Sequence, residues 1–229
     1  MSYEGSASSS SSNTSSSNAA SSSTATKSVD FSAPSLPFLK SGREVANSKI
    51  NGIADEDYLD GDLSRDFTIK IDGSNTHHTN SLGVYEYNDS GRITDVRIID
   101  PNVTNNGKNA TFDVRIDKND NLGFFVVKDG ADKVAWKTLN SNKLDLDIGN
   151  DGKVTLTENG KAVKDAEIYV SHDKSLNADN QEHVLSGTDK DYDGYLAIAF
   201  EDTNRNWKNG DEDFNDLIVY VQSDNFDFA

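Results

Sequence analysis

Apolar and polar residues alternate along much of the chain after about residue 45. The segments FTIKI (67–71), FDVRI (112–116) and KLDLDI (143–148) place an apolar side chain at every second position. This period of two is typical of β-strands that bury one face. A second group of segments is more continuously apolar and is typical of central strands; it comprises LGVYEY (82–87), LGFFVV (122–127), AEIYV (166–170), YLAIAF (195–200) and LIVYV (217–221).

Short turn sequences separate these segments. Their residues tolerate the positive φ angles of tight hairpins, and they are Asp89-Ser90-Gly91, Asp129-Gly130, Asn150-Asp151-Gly152 and Asn159-Gly160. About nine or ten short strands at this spacing, without a convincing period of 3.6, predict an all-β fold. We expect an antiparallel β-sandwich of jelly-roll-like form, with part of residues 44–60 helical.

The N-terminal part differs in composition. Residues 1–28 are rich in serine and offer almost no apolar surface to offset the entropy of ordering, which is typical of a flexible tether. The next segment, FSAPSLPFLKSG (31–42), is apolar and contains two of the three prolines; it is either a linker or a segment that docks on the domain. The predicted organisation is a disordered tether and linker over 1–44, a β-sandwich over 45–222 and a tail over 223–229.

Composition excludes several classes of partner. The chain has 22 basic and 39 acidic residues, a formal charge of −17, which argues against nucleic acid and anionic lipid because both attract basic surfaces. The absence of cysteine excludes disulfides and thiolate metal sites. No apolar run approaches the roughly 18 residues of a membrane span. The N-terminus lacks the basic and apolar regions of a Sec signal, so we expect export by another route.

The densest acidic stretch is EDTNRNWKNGDEDFNDLIVYV (201–221). Glu201 and Asp202 follow one predicted buried strand, and Asp211, Asp213 and Asp216 precede the next. If the two strands are neighbours, both acidic groups meet at one end of the sandwich. Calcium takes six to eight oxygen ligands, whereas magnesium gives up its waters reluctantly. The stretch therefore predicts a Ca²⁺ site, and the alternative is a solvated acidic loop.

A second acidic motif is DKDYDGY (189–195). Asp189, Asp191 and Asp193, followed by Gly194, match the start of a DxDxDG calcium loop. The twelfth position of that loop requires an acidic residue, but here it is Phe200, and a strand follows instead of a helix. The motif is therefore not an EF-hand. It is either a simpler calcium turn or a polar hairpin tip.

The segment SHDKSLNADNQEH (171–183) combines histidines with acidic and amide residues. Its spacing matches no zinc pattern. We expect His183 to be a buried or hydrogen-bonded structural residue, and Asn177 and Asp179 either to shape a turn or to reach the calcium cluster.

Catalytic patterns are missing from the sequence. It contains no GxSxG, HExxH or phosphate-binding glycine loop, so we predict that the protein is not an enzyme; a polysaccharide-active enzyme is the least favoured alternative. Trp207 lies inside the acidic stretch. It either contacts a sugar ligand beside the calcium ion or anchors the loop to the domain.

The order of four motifs resembles the bacterial family DUF4114. They are NSLGVYEYNDSGRI, NLGFFVVKDG, YVSHDKSLNADNQEHVLSG and YLAIAFEDTNRNWKNGDEDFNDLIVYV, and the resemblance covers about residues 67–222. The terminal family motif falls on Glu201, Asp202, Gly210, Asp211, Asp213, Phe214, Asn215 and Asp216, and the central one on Ser171, His172, Leu176, Asn177, Asp179 and His183. The chain departs from the family pattern at Asn180 and Ala199, where the family has glycine, and in its longer loop.

The resemblance implies a β-sandwich of secreted or surface proteins, such as calcium-dependent adhesins and repeats-in-toxin proteins exported by type I secretion. We therefore expect an extracellular or cell-surface calcium-binding module for adhesion or matrix binding, with an extracellular polysaccharide or surface glycan as partner. The alternative is a purely structural surface protein. The predicted metal ligands are Glu201, Asp202, Asp211, Asp213, Asn215, Asp216, Asp189, Asp191, Asp193, Asn177 and Asp179, and Trp207 is the predicted ligand contact.

Overall fold

The computed structural model describes residues 33–36, 39, 43–54, 56–106, 110–207 and 210–224. This part of the chain contains twelve β-strands in three antiparallel sheets, with only short helices. The predicted all-β sandwich is therefore confirmed. The predicted disordered tether falls mostly on residues 1–32, and most of the predicted tail on residues 225–229; both ranges lie outside the described residues.

The first sheet forms one wall of the core. Its strands are β1 (Asp66–Gly73), β4 (Thr111–Arg115), β10 (Val184–Asp189), β11 (Tyr192–Phe200) and β12 (Leu217–Ser223). Their order in the sheet is β10-β11-β12-β1-β4. The alternation seen in the sequence buries Phe67, Ile69 and Ile71 on the inner face. Each such side chain contributes about 1.5–3 kcal/mol when it leaves water.

The second sheet is buried on both faces. Its strands are β2 (Ser81–Tyr87), β3 (Ile93–Asp100), β5 (Asn121–Lys128) and β9 (Glu167–Val170), in the order β3-β2-β5-β9. One face, with Val84 and Phe124, packs against the first sheet. The opposite face carries Tyr85 and Phe125, which belong to a second apolar cluster. Burial on both sides explains why β2 and β5 are continuously apolar.

A third, smaller sheet covers the outer face of the second one. It contains β6 (Leu144–Ile148), β7 (Val154–Glu158) and β8 (Lys161–Ala162) in that order. Leu146 and Leu156 pack in the same cluster as Tyr85 and Phe125. The sequence predicted β6 as a half-buried strand, but the separate layer to which it belongs was not predicted.

Two glycines of the central sheet make room for aromatic rings on the neighbouring strand. Gly83 lies opposite Phe125, and Gly123 lies opposite Tyr85. A Cβ atom at either glycine would overlap the facing ring. The Leu-Gly pairs of LGVYEY and LGFFVV thus allow two large rings to lie flat across adjacent strands.

The described helices are short. They are α1 (Val103–Asn106), α2 (Gly130–Lys133) and α3 (Trp136–Leu139), with 3-10 turns at Asn47–Lys49, Glu56–Leu59 and Lys174–Leu176. The first two 3-10 turns are the helical part expected within residues 44–60. Within the described ranges, no helix has the length and apolar character needed to cross a membrane.

Most of the predicted turns are observed. Asn159 and Gly160 both have positive φ and join β7 to β8, as expected for a tight hairpin. Asp129-Gly130 differs from the prediction. Asp129 has a φ of 52° and precedes α2, so this pair starts a helical turn instead of a hairpin. The change of chain direction occurs at the predicted residues, but the residues that follow form α2 instead of a strand.

Candidate metal centre

The acidic loop, defined here as residues 201–216, connects β11 to β12. These strands pair antiparallel, with Phe200 opposite Leu217. Glu201 and Asp202, which follow β11, therefore lie beside Asp216, which precedes β12. The neighbouring strands assumed in the sequence argument are thus observed, and both acidic groups meet at one end of the sheet.

Two groups of carboxylates share Glu201. One contains Glu201, Asp202 and Asp216, and the other contains Glu201, Asp211 and Asp213; in each group, one carboxylate oxygen from each residue lies within 4.8 Å of the others. Glu201 and Asp202 are each 1% exposed, and Asp213 is fully buried. Asp211 is exposed and closes the cluster on the solvent side. Five of the predicted ligands are therefore brought together.

Glu201 has one oxygen without a partner. Its Oε1 atom accepts a long hydrogen bond of 3.3 Å from the backbone N–H of Thr203. Its Oε2 atom is buried and has no hydrogen-bond partner. A buried carboxylate oxygen without a donor is costly, because it has lost its water and gained nothing in return.

The cluster strongly perturbs its own acid groups. Burial raises the pKa of Glu201 well above its usual range, and the charges of Asp216, Asp211 and Asp202 raise it further. Burial likewise raises the pKa of Asp216, with added repulsion from Asp202 and Asp211. Both shifts have the cause expected for like charges crowded in a dry environment. The positive charge of a bound divalent cation would offset the repulsion among these carboxylates.

Protein groups compensate only part of this charge. Asn80 donates to Asp202 Oδ2 at 2.6 Å, and the backbone N–H of Asp202 donates to Asp216 Oδ2 at 2.8 Å. His78 Nε2 lies 3.9 Å from Asp202 Oδ1. Among the described residues, no lysine or arginine forms an ion pair with Glu201 or Asp216.

Asn80 and His78 were not predicted as site residues. Asn80 is the first residue of the quoted motif NSLGVYEY, and its Oδ1 accepts the backbone N–H of Asp129 at 3.1 Å. It therefore fastens the acidic loop to the turn before α2. The motif contained Asn80, but only the packed sheets show that the side chain of Asn80 contacts Asp202.

The donor set fits a hard cation. All five clustered side chains offer carboxylate oxygens, and neither nitrogen nor sulfur belongs to either group. Oxygen-only sets suit calcium or magnesium, and calcium accepts more protein ligands in less regular geometry. The unpartnered oxygen of Glu201 is the position that such an ion would satisfy.

Asn215 and Phe214 stabilise the backbone of the loop. Asn215 donates to Asp213 through its backbone N–H (3.1 Å) and its side-chain amide (2.8 Å). Its own Oδ1 accepts from Asn75 at 3.1 Å. This oxygen already has a donor, so metal ligation by Asn215 stays a prediction. Phe214 is fully buried with a φ of 55°, an uncommon conformation for a non-glycine residue.

Asn177 and Asp179 lie outside both carboxylate groups and support the neighbouring backbone. The side-chain oxygen of Asn177 accepts a hydrogen bond from the backbone N–H of Val170. Its side-chain nitrogen donates to the carbonyls of Val170 and Gln181. Asp179 Oδ2 accepts the backbone N–H of Arg205 at 2.9 Å. These bonds correspond to the turn-shaping alternative. Metal ligation by these two residues stays a prediction.

His183 connects this turn to the acidic loop. Its Nδ1 contacts the Glu201 carbonyl at 2.7 Å, and its Nε2 contacts Asp179 at 2.9 Å. Its ring stacks on Tyr169 at 3.7 Å between centroids. Burial acts to raise the pKa of Asp179, but hydrogen bonds and charge from His183 lower it below its usual value. His183 is buried and hydrogen-bonded, as expected.

Asp189, Asp191 and Asp193 lie at the opposite end of β11. They belong to the tip of the β10–β11 hairpin, where Asp189 pairs with Tyr192. Asp191 and Asp193 are exposed, and none of the three belongs to a carboxylate group found among the described residues. Of the two alternatives for this motif, a calcium turn and a polar hairpin tip, the geometry matches the hairpin tip.

Trp207 is 57% exposed within the acidic loop. The Lys128 ammonium lies 5.7 Å from the centre of its ring and 3.3 Å from the hydroxyl of Thr203. Thr203 in turn donates to Asp202 Oδ1 at 3.2 Å. A cation–π contact with Lys128 and two hydrogen bonds through Thr203 thus connect the exposed indole to Asp202.

A third acidic group lies elsewhere, in a polar cleft beside β2 and β4. It contains Glu86, Asp117 and Asp120. Glu86 Oε2 accepts the backbone N–H of Asp117 at 2.9 Å, and Arg65 lies 3.5 Å from Asp117. None of the buried oxygens without a hydrogen-bond partner among the described residues belongs to this cluster, which therefore lacks the feature that distinguishes Glu201.

Comparison with known families gives one match. The sequence model of the family described as "Domain of unknown function (DUF4114)" matches residues 116–224. No curated protein and no solved structure matches the chain. The matched range begins later than the resemblance at residue 67, yet β1 pairs with β12 and β2 with β5. The matched residues therefore complete their sheets with strands that precede them.

Proposed function

We propose that the protein binds calcium through its acidic loop, which lies within the range matched by the family model DUF4114. The observation that carries this proposal is the buried Glu201 Oε2, which has no hydrogen-bond donor and belongs to the one residue shared by both carboxylate groups. A divalent cation bound there would supply the missing partner and cancel repulsion among the acids.

Calcium would stabilise the folded chain by mass action. An ion at 10 to 100 times its Kd adds about 1.4–2.7 kcal/mol to the free energy of unfolding. Extracellular calcium modules bind in the range of about 10⁻⁴ to 10⁻³ M. We therefore propose an extracellular or cell-surface location, where calcium is abundant enough to fill such a site.

Isothermal titration calorimetry of the full chain tests calcium binding. We expect heat of binding with Ca²⁺ and much weaker binding with Mg²⁺. Glu201→Gln is expected to weaken Ca²⁺ binding at least tenfold, because it removes a charge from both carboxylate groups. Asp193→Asn is the matched control, since it removes one charge at the exposed hairpin tip and should leave the affinity unchanged. Equal affinities of the two variants would contradict the proposal.

We further propose that the calcium-ordered loop presents Trp207 to a carbohydrate, on an extracellular polysaccharide or surface glycan. This assignment is supported by the exposure of the indole and by its contact with Lys128, which connects it through Thr203 to Asp202. Aromatic rings stack on the apolar faces of sugars. Adhesion or matrix binding would follow from such contacts.

A glycan array with calcium and with chelator tests this assignment. We expect calcium-dependent signals that Trp207→Ala abolishes. Trp136→Ala is the matched control, because Trp136 is 65% exposed but lies on α3, outside the acidic loop. Silence of the whole array, combined with calcium binding, would favour a purely structural surface protein. Release of sugars from a polysaccharide would point instead to an enzyme.

A further inference from the structure

The N-terminal segment, defined as residues 33–36, 39 and 43–54, lies along the free edge of the first sheet. Ser35 pairs parallel with Thr188 of β10. The backbone N–H of Leu36 donates to the Thr188 carbonyl at 2.7 Å, and Thr188 N–H donates to the Pro34 carbonyl at 2.8 Å. Gly187 permits this approach, because a Cβ atom there would overlap the Pro34 carbonyl. The segment thus docks on the domain, one of two alternatives left open by the sequence.

A second anchor holds the later part of this segment. Asn51 exchanges two hydrogen bonds with the backbone of Ser186, at 2.9 and 3.0 Å. The Ser186 hydroxyl donates to the Gly52 carbonyl at 2.7 Å and accepts the N–H of Ala54 at 2.6 Å. This anchor involves only β10 and does not depend on the acidic loop.

Between these anchors the segment contacts the acidic loop directly. The backbone N–H of Val45 donates to the carbonyl of Glu212 at 2.8 Å. Asn47 Oδ1 accepts from Arg205 Nη2 at 2.9 Å, and the same nitrogen lies 3.2 Å from Glu212 Oε2. Arg205 also donates to the Glu182 carbonyl at 2.8 Å. One guanidinium of the acidic loop therefore contacts the N-terminal segment, Glu212 of the same loop and the residues just before β10.

The apolar side of the segment covers Phe214. Val45 and Phe214 belong to a third apolar cluster on the outer face of the first sheet, against which Leu36, Leu39 and Ile50 pack. Phe214 follows the clustered carboxylate Asp213 and comes two residues before Asp216. The same five residues, 212–216, thus face the candidate ion on one side and the N-terminal segment on the other.

We propose that calcium binding in the acidic loop fastens the N-terminal segment to the domain, an inference that rests on the proposed calcium site. Without the ion, repulsion among the carboxylates displaces residues 211–216, and Glu212 and Phe214 lose their contacts with Val45. With the ion, the loop closes and the segment docks. The serine-rich tract of residues 1–28 precedes this segment in the chain. Calcium therefore controls whether the segment that connects the tract to the sandwich is docked or released.

Hydrogen exchange of the full chain, with calcium and with chelator, tests the coupling. We expect the amides of Leu36 and Val45 to exchange at least tenfold faster in chelator, and the amides of β5 in the central sheet to change little. Calorimetry on the same sample reports calcium binding separately. Binding without any change in exchange over residues 33–54 would overturn this inference and leave the calcium site intact. Absence of binding would remove both.

Thermodynamic linkage supplies a second test. If calcium tightens the segment, loosening the segment must weaken calcium by the same factor. Val45→Ser is expected to lower calcium affinity about fivefold or more. Val96→Ser is the matched control, since both valines are buried, 9% and 6% exposed, but Val96 packs between the second and third sheets. An equal effect of both variants on affinity would overturn the coupling.

A milder variant covers the case in which Val45→Ser does not fold. Asn47 is exposed, and Asn47→Ala removes its hydrogen bond to Arg205 while leaving the apolar cluster complete. We expect about a threefold weaker calcium affinity, which corresponds to the lower end of the net contribution of one hydrogen bond. An unchanged affinity together with unchanged exchange of Val45 would count against the coupling.

Discussion

Strand β11 has several acidic residues at each of its ends. The two groups differ in their burial and in their hydrogen-bond and ion-pair partners. At the hairpin tip, Asp191 and Asp193 are exposed, Lys190 pairs with Asp191 at 2.8 Å, and Asp189 accepts the hydroxyl of Tyr220 at 2.7 Å. At the acidic loop, buried carboxylates face one another, and Glu201 has an oxygen with no donor.

The comparison shows that acid density alone does not indicate a metal site. Two carboxylates in water interact weakly, because the solvent screens them and each keeps its hydration. The same charges in a dry environment repel strongly and have lost their water. The hairpin tip keeps its charges in water, whereas the acidic loop buries carboxylates that could hold a metal ion.

The largest expected difference between the two ends concerns their aromatic residues. Phe214→Ala removes a fully buried ring from the acidic loop and should lower the free energy of unfolding by about 3–5 kcal/mol. Tyr192→Ala removes a half-buried ring at the hairpin tip, and we expect a loss of about 1–2 kcal/mol. Urea denaturation measures both. Similar losses would mean that the acidic loop is not packed as described.

The second difference is in pH dependence. In the closed loop without calcium, Glu201 and Asp216 keep protons that the unfolded chain releases near pH 4, since both pKa values are raised by burial and like charges. Stability in chelator should therefore be greatest in mild acid and should fall as pH rises toward and beyond neutral. Each proton held only by the folded state contributes about 1.4 kcal/mol per pH unit to this slope.

Thermal melts across pH check this expectation. Calcium should flatten or reverse the slope, because the ion displaces those protons. Glu201→Gln should flatten the slope in chelator, and part of it should remain because burial also raises the pKa of Glu182 to about 7. A wild-type melting temperature in chelator that rises from pH 5 to pH 8 would contradict the described electrostatics.

The smallest expected effect is at the hairpin tip. Asp191→Asn and Asp193→Asn change exposed side chains, so each should alter the free energy of unfolding by less than about 0.5 kcal/mol. Neither should change the response to calcium. A loss of calcium-dependent stabilisation in either variant would make the hairpin tip a calcium turn, the alternative that its sequence allowed.

Much of the fold could be predicted because strand formation depends on local pattern. The alternation in FTIKI and the continuous apolar run of LIVYV correspond to β1 and β12. The three-layer arrangement could not be predicted in this way, because a continuously apolar strand looks the same whichever partner covers its second face. The strands β3, β7, β8 and β10 also have no counterpart among the predicted segments, and in β3 and β10 charged or small residues obscure the alternation.

The acidic loop was predicted as a site from its sequence, but its neighbours were not. Asn80 lies 122 positions from Asp202, and the N-terminal segment reaches Glu212 across an even longer stretch of chain. Such contacts depend on which strands become neighbours, and no local pattern records that choice.

The sequence by itself determined where strands form, where turns interrupt them and where negative charge accumulates, because these properties reside in neighbouring residues. Only the tertiary structure decided which acidic residues are buried and which stay in water. The electrostatic energy of a carboxylate depends on the solvent and donors around it, and packing of distant strands sets both. The contrast between Glu201 and Asp193 is therefore a property of the fold.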